Sequence, residues 1–191
     1  LMGILAGIKE SRSSLADPDE RLLRLFGVTE SASGVVVTER TALTLSAWWA
    51  CIQVISEDTA NMPLLTYRRL KPKGKERAHD HPIYDILHTE PNPEMTAFNF
   101  RQTLTGHIPS WGNAYAEIVF GKNGYVKELW PLRPDRMYPE RKNGAIRYVY
   151  YLNGKNLILP PERILHLVGL SFDGLKGYSP TRMAMESIGL A

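Results

Sequence analysis

Apolar residues first recur at helical spacing between Ser46 and Asn61, where Trp48, Cys51, Ile52 and Ile55 stand at i, i+3, i+4 and i+7. This spacing predicts a helix with one buried stripe, ended by Pro63, and it places Cys51 in the stripe as a small buried hydrophobe. Leu64–Arg69 reads as a strand, Lys71–Lys75 as a turn, and a short return strand follows. A brief helix is expected from His81-Pro82 to His88, broken by Glu90-Pro91-Asn92-Pro93. Thr96 is a suitable N-cap for the next helix, which carries Phe100, Leu104, His107 and Trp111 on one face and stops at Gly112-Asn113. His107, on that apolar face, is expected to cap or hydrogen-bond within the core.

After Gly112 the period changes from helical to alternating. Tyr115–Phe120, Val126–Leu132, Ile146–Leu152, Leu157–Leu159 and Ile164–Val168 are strand-like. Asn123-Gly124, Asn143-Gly144 and Asn153-Gly154 separate the first four. Asn-Gly favours the type I′ hairpin turn, so the pattern predicts an antiparallel meander. Pro160-Pro161 interrupts it before the last strand. Ser179-Pro180 then starts a helix whose apolar Met183, Met185 and Ile188 continue to the last residues, which suggests a piece of a longer protein. Helices and strands are segregated, so the expected fold class is α+β: an antiparallel β-meander with several helices packed on it. Residues 1–40 lack a comparable pattern and read as an N-terminal arm. Residues 41–191 read as one domain.

Composition narrows the classes. The chain has 191 residues, 43% hydrophobic and 23% charged, which excludes a wholly disordered chain or a fibre. No apolar run approaches the roughly 20 residues of a membrane helix, so no membrane partner is expected. The single Cys51 excludes an intrachain disulfide framework. A net charge of +3 does not by itself indicate nucleic-acid binding. The densest basic run, Arg68 to Arg77, is a candidate nucleic-acid site in a freestanding binding module. Strand alternation is expected to scatter its side chains over both faces of a hairpin.

No catalytic chemistry emerges. His79, His81 and His88 lack the carboxylates or thiols that would complete a zinc site. Ser110, Ser171 and Ser179 lack a nucleophile elbow, and the glycines of Gly169–Gly177 fit neither a phosphate loop nor a dinucleotide fingerprint. Glu117 and Glu128 on neighbouring strands could face one another, though a solvated sheet face explains them equally well. Alternation sets His166 apart from its flanking leucines, and a hydrolase built around it and a carboxylate is the remaining enzymatic reading. We assign no catalytic, cofactor or metal-binding residue and expect no enzyme.

The order of segments carries more information. Trp48-Ala-Cys-Ile-Gln-Val-Ile-Ser, Met62–Tyr67, His81-Pro82-Ile83, Pro91-Asn92-Pro93, Met95-Thr96, Gly112–Ala116 and Leu129-Trp130-Pro131-Leu132 follow one another. Tyr150-Tyr151, Pro160–His166 and Gly174–Pro180 complete the series. Over residues 41–191 this resembles the large portal protein family of long-tailed phages and prophages. The resemblance implies the wing region of a structural subunit that forms a homo-oligomeric ring, usually a dodecamer, at one capsid vertex of the virion. It implies assembly in the bacterial host cytoplasm and partners that include the terminase large subunit, major capsid or scaffold proteins and head-completion proteins. Double-stranded DNA would pass through the channel without sequence-specific contacts, touching residues beyond Ala191. No cofactor is implied. Gly112-Asn113 would redirect a helix into the sheet, and Gly177-Tyr178-Ser179-Pro180 would aim the last helix. On this view Gly177→Val or Pro180→Gly should impair ring assembly more than folding. Trp48 or Trp49, Trp111, Tyr148 and Tyr150 are candidates for subunit contacts, with burial in the core the favoured alternative for each.

Overall fold

The computed structural model describes residues 37–142 and 144–189. Helices α1 (Glu39–Ala42) and α2 (Ser46–Asn61) precede the short strands β1 (Tyr67–Arg69) and β2 (Lys75–Arg77). Helices α3 (Ile83–His88) and α4 (Ala97–Trp111) follow, then strands β3 (Asn113–Phe120) and β4 (Val126–Leu132). Strands β5 (Met137–Lys142), β6 (Ala145–Leu152), β7 (Lys155–Leu159) and β8 (Ile164–Val168) lead to helices α5 (Pro180–Met183) and α6 (Met185–Gly189). The fold class is α+β, as expected. The expected arm, residues 1–40, lies for the most part outside the described residues. Within the described part, α1 spans its boundary with the domain.

The antiparallel strands form two sheets of three, ordered β4-β3-β8 and β5-β6-β7, with β1-β2 as a separate ribbon. Strand β3 explains the layering. Its even-numbered side, Ala114 and Ala116, lies in a core with Phe100 and Leu104 of α4, Ile86 of α3 and Leu129 of β4. Its other side presents Tyr115 to Met137, Tyr148 and Ile164, which form the core between the two sheets. Alanines let the helix approach closely, while the tyrosine spans the gap to the second sheet. The result is three layers, helix on sheet on sheet, with β3 buried from both sides.

Three features differ from expectation. Strand β5 is additional: Tyr138-Pro139-Glu140-Arg141-Lys142 is polar and holds a proline, yet it pairs with β6 from Met137↔Tyr150 to Lys142↔Ala145. It is an edge strand, where a missing N–H is tolerated, as is Pro131 on the edge strand β4. Helix α2 is rotated from the predicted face. Ile52, Ser56 and Ala60 are its buried residues, whereas Cys51 and Ile55 are exposed, so Cys51 is not a core side chain. The helix packs on α4 through small residues, which permit close axial approach and carry little hydrophobic signal. The turns also divide. Asn153 and Gly154 both have positive φ, 50° and 78°, as type I′ requires. Of Asn123-Gly124 only the glycine does, closing a longer loop in which Gly121 N–H donates to Tyr125 O. Asn143 lies outside the described residues.

Candidate functional site

The two glycine motifs singled out in the sequence meet. Helix α4 ends at Gly112 in the left-handed region, φ 77°, after its N–H donates to Ile108 O at 2.7 Å. A Cβ there would fall inside the carbonyl oxygen of Tyr178, and one on Gly177 would fall inside that of Gly112. Gly169 N–H donates to Gly112 O at 2.9 Å, closing the third side. Three backbone segments therefore touch where only glycine fits, at Gly112, Gly169 and Gly177.

Asn113 joins them. Its Nδ2 donates to Gly177 O at 3.1 Å, and its Oδ1 accepts from Gly177 N–H at 2.8 Å. The pair of bonds mimics a strand partner for one residue of the loop 169–178. Asn113 Oδ1 also lies 3.1 Å from His166 Nε2. An amide oxygen only accepts, so Nε2 carries the proton and Nδ1 accepts from Tyr148 Oη at 3.2 Å. His166 is further stacked on Tyr115, with ring centroids 4.3 Å apart. Desolvation pushes its pKa down to about 4. Burial likewise raises the pKa of Tyr115 and Tyr148 above the usual tyrosine value. The node is therefore neutral and hydrogen-bonded throughout.

Beyond the node, Ser179 Oγ donates to Ser110 O at 2.8 Å, and Arg182 donates from Nε to Glu39 at 2.9 Å. Helix α5 is thereby tied both to the end of α4 and to α1. The loop 169–178 is braced internally: Asp173 Oδ1 accepts from Leu175 N, Lys176 N and Ser171 Oγ, and those bonds lower its pKa. On this fixed loop Leu170 and Phe172 are 85% and 91% exposed. A cleft of about 570 Å³ opens beside the node, lined by Trp111, Tyr138, Phe172, Tyr178 and Met183 together with Glu39, Asp135 and Arg182.

The other sequence candidates do not converge. His166 has both nitrogens committed, to Tyr148 and Asn113, and donates to no carboxylate among the described residues, so it lacks the geometry of a general base. Glu117 stands opposite Trp130 rather than Glu128, and Glu128 accepts from Trp130 Nε1 at 2.9 Å and pairs with Lys127 at 2.8 Å. His79 and His88 flank the ring of Tyr84, while His81 Nδ1 accepts from Ile83 N–H. Among the described residues no three metal-ligating side chains come together. His107 does not hydrogen-bond as expected: its Nδ1 is buried with no partner among the described residues, its ring edge meets Trp111, and desolvation pushes its pKa down to about 4. Of the aromatics considered for subunit contacts, Trp49 is exposed and Tyr148 is core. The sequence did not point to Leu170 and Phe172, the most exposed large apolar side chains among the described residues, although two bulky apolar residues in a glycine-rich loop were a usable signal.

Comparison with known proteins matches this chain over residues 46–191 to the family model described as phage portal protein. It is similar to the portal protein of Enterobacteria phage HK97, 30% identical over 156 residues, covering 81% of this chain and 37% of that protein. The probable portal protein of Streptomyces phage phiC31 is 30% identical over 173 residues, covering 84% and 37%. Among solved structures, a chain from the neck of an empty gene transfer agent (GTA) particle, computed with C6 symmetry, superposes with a TM-score of 0.64. The identity there is 25%, over 91% of this chain and 44% of that one. The chain thus spans between 37% and 44% of the length of these relatives.

Proposed function

Because this chain belongs to the phage portal protein family, we propose that it forms the wing-like part, residues 41–191, of a structural subunit of a portal ring at the capsid vertex. The ring, a dodecamer on this reading, provides the channel for DNA packaging and ejection. It docks the terminase large subunit during packaging and head-completion proteins afterwards, and it carries no catalytic centre. It is assembled in the host cytoplasm and retained in the virion.

The observation that carries this reading is the unbroken family match over residues 46–191, which takes in both halves of the glycine node. Two structural features support it. First, the side chains best placed for acid–base chemistry are committed to one another: the imidazole of His166 is held between the Tyr148 hydroxyl and the Asn113 amide, and that amide in turn holds the backbone of Gly177. Second, apolar side chains are exposed on different elements, Leu170 and Phe172 on the braced loop and Trp49, Val54 and Ile55 on α2. A head-to-tail ring requires two different surfaces on each subunit, unlike a two-fold dimer. Electron microscopy of the full-length protein tests the proposal. The expected particle is a closed ring with a central hole, and a monomer at high concentration overturns it.

A further inference from the structure

The basic segment Arg68–Arg77 is organised differently from what alternation alone suggested. The ribbon register pairs Tyr67 with Arg77, Arg68 with Glu76 and Arg69 with Lys75. Directly paired residues share a face, and faces alternate along each strand. One face therefore holds Arg68 and Glu76, and the other holds Tyr67, Arg69, Lys75 and Arg77. The first face is neutralised within the chain. Arg68 donates to Asp80 Oδ2 at 2.7 Å and lies 3.5 Å from Glu76 Oε1, which raises its pKa and lowers that of Asp80.

On the second face, Arg69 and Arg77 make no ion pair among the described residues, and Lys75 sits 4.7 Å from the Tyr67 ring centroid. Lys71 and Lys73 extend that charge around the tip. All six strand residues are exposed. The ribbon thus concentrates five cations with no ion pair among the described residues and one aromatic ring, while Glu76 and Asp80 are spent on Arg68 on the opposite side.

We propose that this one-sided cationic ribbon is a sequence-independent contact surface for the backbone of double-stranded DNA. The inference rests on the ribbon alone and stands whether or not the chain assembles into a ring. Two arguments favour DNA over an acidic protein. Three of the five cations are lysines, which protein–protein interfaces avoid and phosphate contacts use freely. The one ring on the exposed face, Tyr67, is partly covered by the Lys75 ammonium, and point charges along a two-stranded ribbon suit a continuous line of phosphates. A ribbon of this width fits the major groove, about 12 Å wide, or lies along one strand.

The test is fluorescence anisotropy of a labelled random-sequence duplex with the intact protein, across a salt series. Three proteins are compared: wild type, the face variant Arg69→Glu/Lys75→Glu/Arg77→Glu, and a charge-matched control, Lys122→Glu/Lys142→Glu/Lys155→Glu. The substituted side chains of both variants are exposed, and thermal melts confirm that each remains folded. The face variant should lose about tenfold or more in affinity near 0.1 M salt, and its slope of log K against log salt should fall by about three. The control should stay close to wild type. Equal loss in both variants reduces the effect to net charge and overturns the proposal, as does no loss in either. Displacement by polyglutamate as effective as displacement by unlabelled duplex also overturns it, and assigns the ribbon to an acidic protein.

Discussion

At Gly177 the backbone leaves no room for a side chain. A methyl group there meets the carbonyl of Gly112, and the neighbouring segments are held by hydrogen bonds on both sides. Gly177→Ala should therefore destabilise the chain by about 2–4 kcal/mol, read from urea unfolding, because the node must open to admit the Cβ. The expectation that changes at Gly177 impair ring assembly more than folding therefore has to be tested against a substantial folding cost. Pro180→Gly is milder, since it loosens only the first turn of α5. Stability should also depend on acid. An unfolded histidine titrates near 6.5, while folded His107 titrates at about 4 because burial disfavours its cation. Between those values the unfolded chain binds protons that the folded chain refuses. Stability is then complete above about pH 6.5 and falls as the pH drops towards 4, with His166 acting in the same direction. Replacing His107 with Phe should leave stability at pH 7 equal or higher and flatten that decline. An unchanged decline would exclude His107 as a source.

At the scale of elements, one arginine ties three helices together. Arg101 on α4 donates from Nε and Nη2 to Ala60 O, at 3.1 and 2.7 Å, and from Nη1 to Leu87 O at 3.2 Å. These carbonyls belong to the last turns of α2 and α3, where no intrahelical N–H remains for them. Arg101→Met should cost about 2–3 kcal/mol in chemical denaturation, and Arg101→Lys should recover little, since an ammonium cannot fork between two helices. Nothing near Arg101 in the sequence announces this role. The helix ends themselves were legible, because Thr96 and Gly112 act through bonds to residues three or four positions away. The face of α2 was not. Its buried residues are Ile52, which lies beside Gly106 of α4, and Ser56 and Ala60, whose small size matters more than their hydrophobicity. Strand β5 was missed for a related reason: an edge position excuses both Pro139 and its polar side chains, and edge status is a property of the whole sheet. The node was half legible. Both glycine motifs stood out as turns, but 64 positions separate Asn113 from Gly177, and only the pairing of β8 with β3 brings them together.

For the whole molecule, the arrangement of layers decides which surfaces remain for assembly. The first half of strand β3, Asn113–Ala116, is buried, so that part of the first sheet is not available for assembly. The loop 169–178 is different. It is anchored to the node by Asn113, braced by Asp173, and yet displays Leu170 and Phe172 to solvent. Holding a loop rigid around two exposed apolar residues gains the monomer no burial, whereas a rigid anchor lowers the entropic cost of docking. The double substitution Leu170→Ser/Phe172→Ser should therefore leave the unfolding free energy of the monomer within about 0.5 kcal/mol of wild type. In the full-length protein the same change should shift native mass spectra from rings towards monomers at equal concentration. Loss of monomer stability would mean that the loop packs on its own chain. Unchanged rings with unchanged stability would remove the loop from the subunit interface and leave the exposed face of α2, with Trp49, Val54 and Ile55, as the surface to test next by the same measurement.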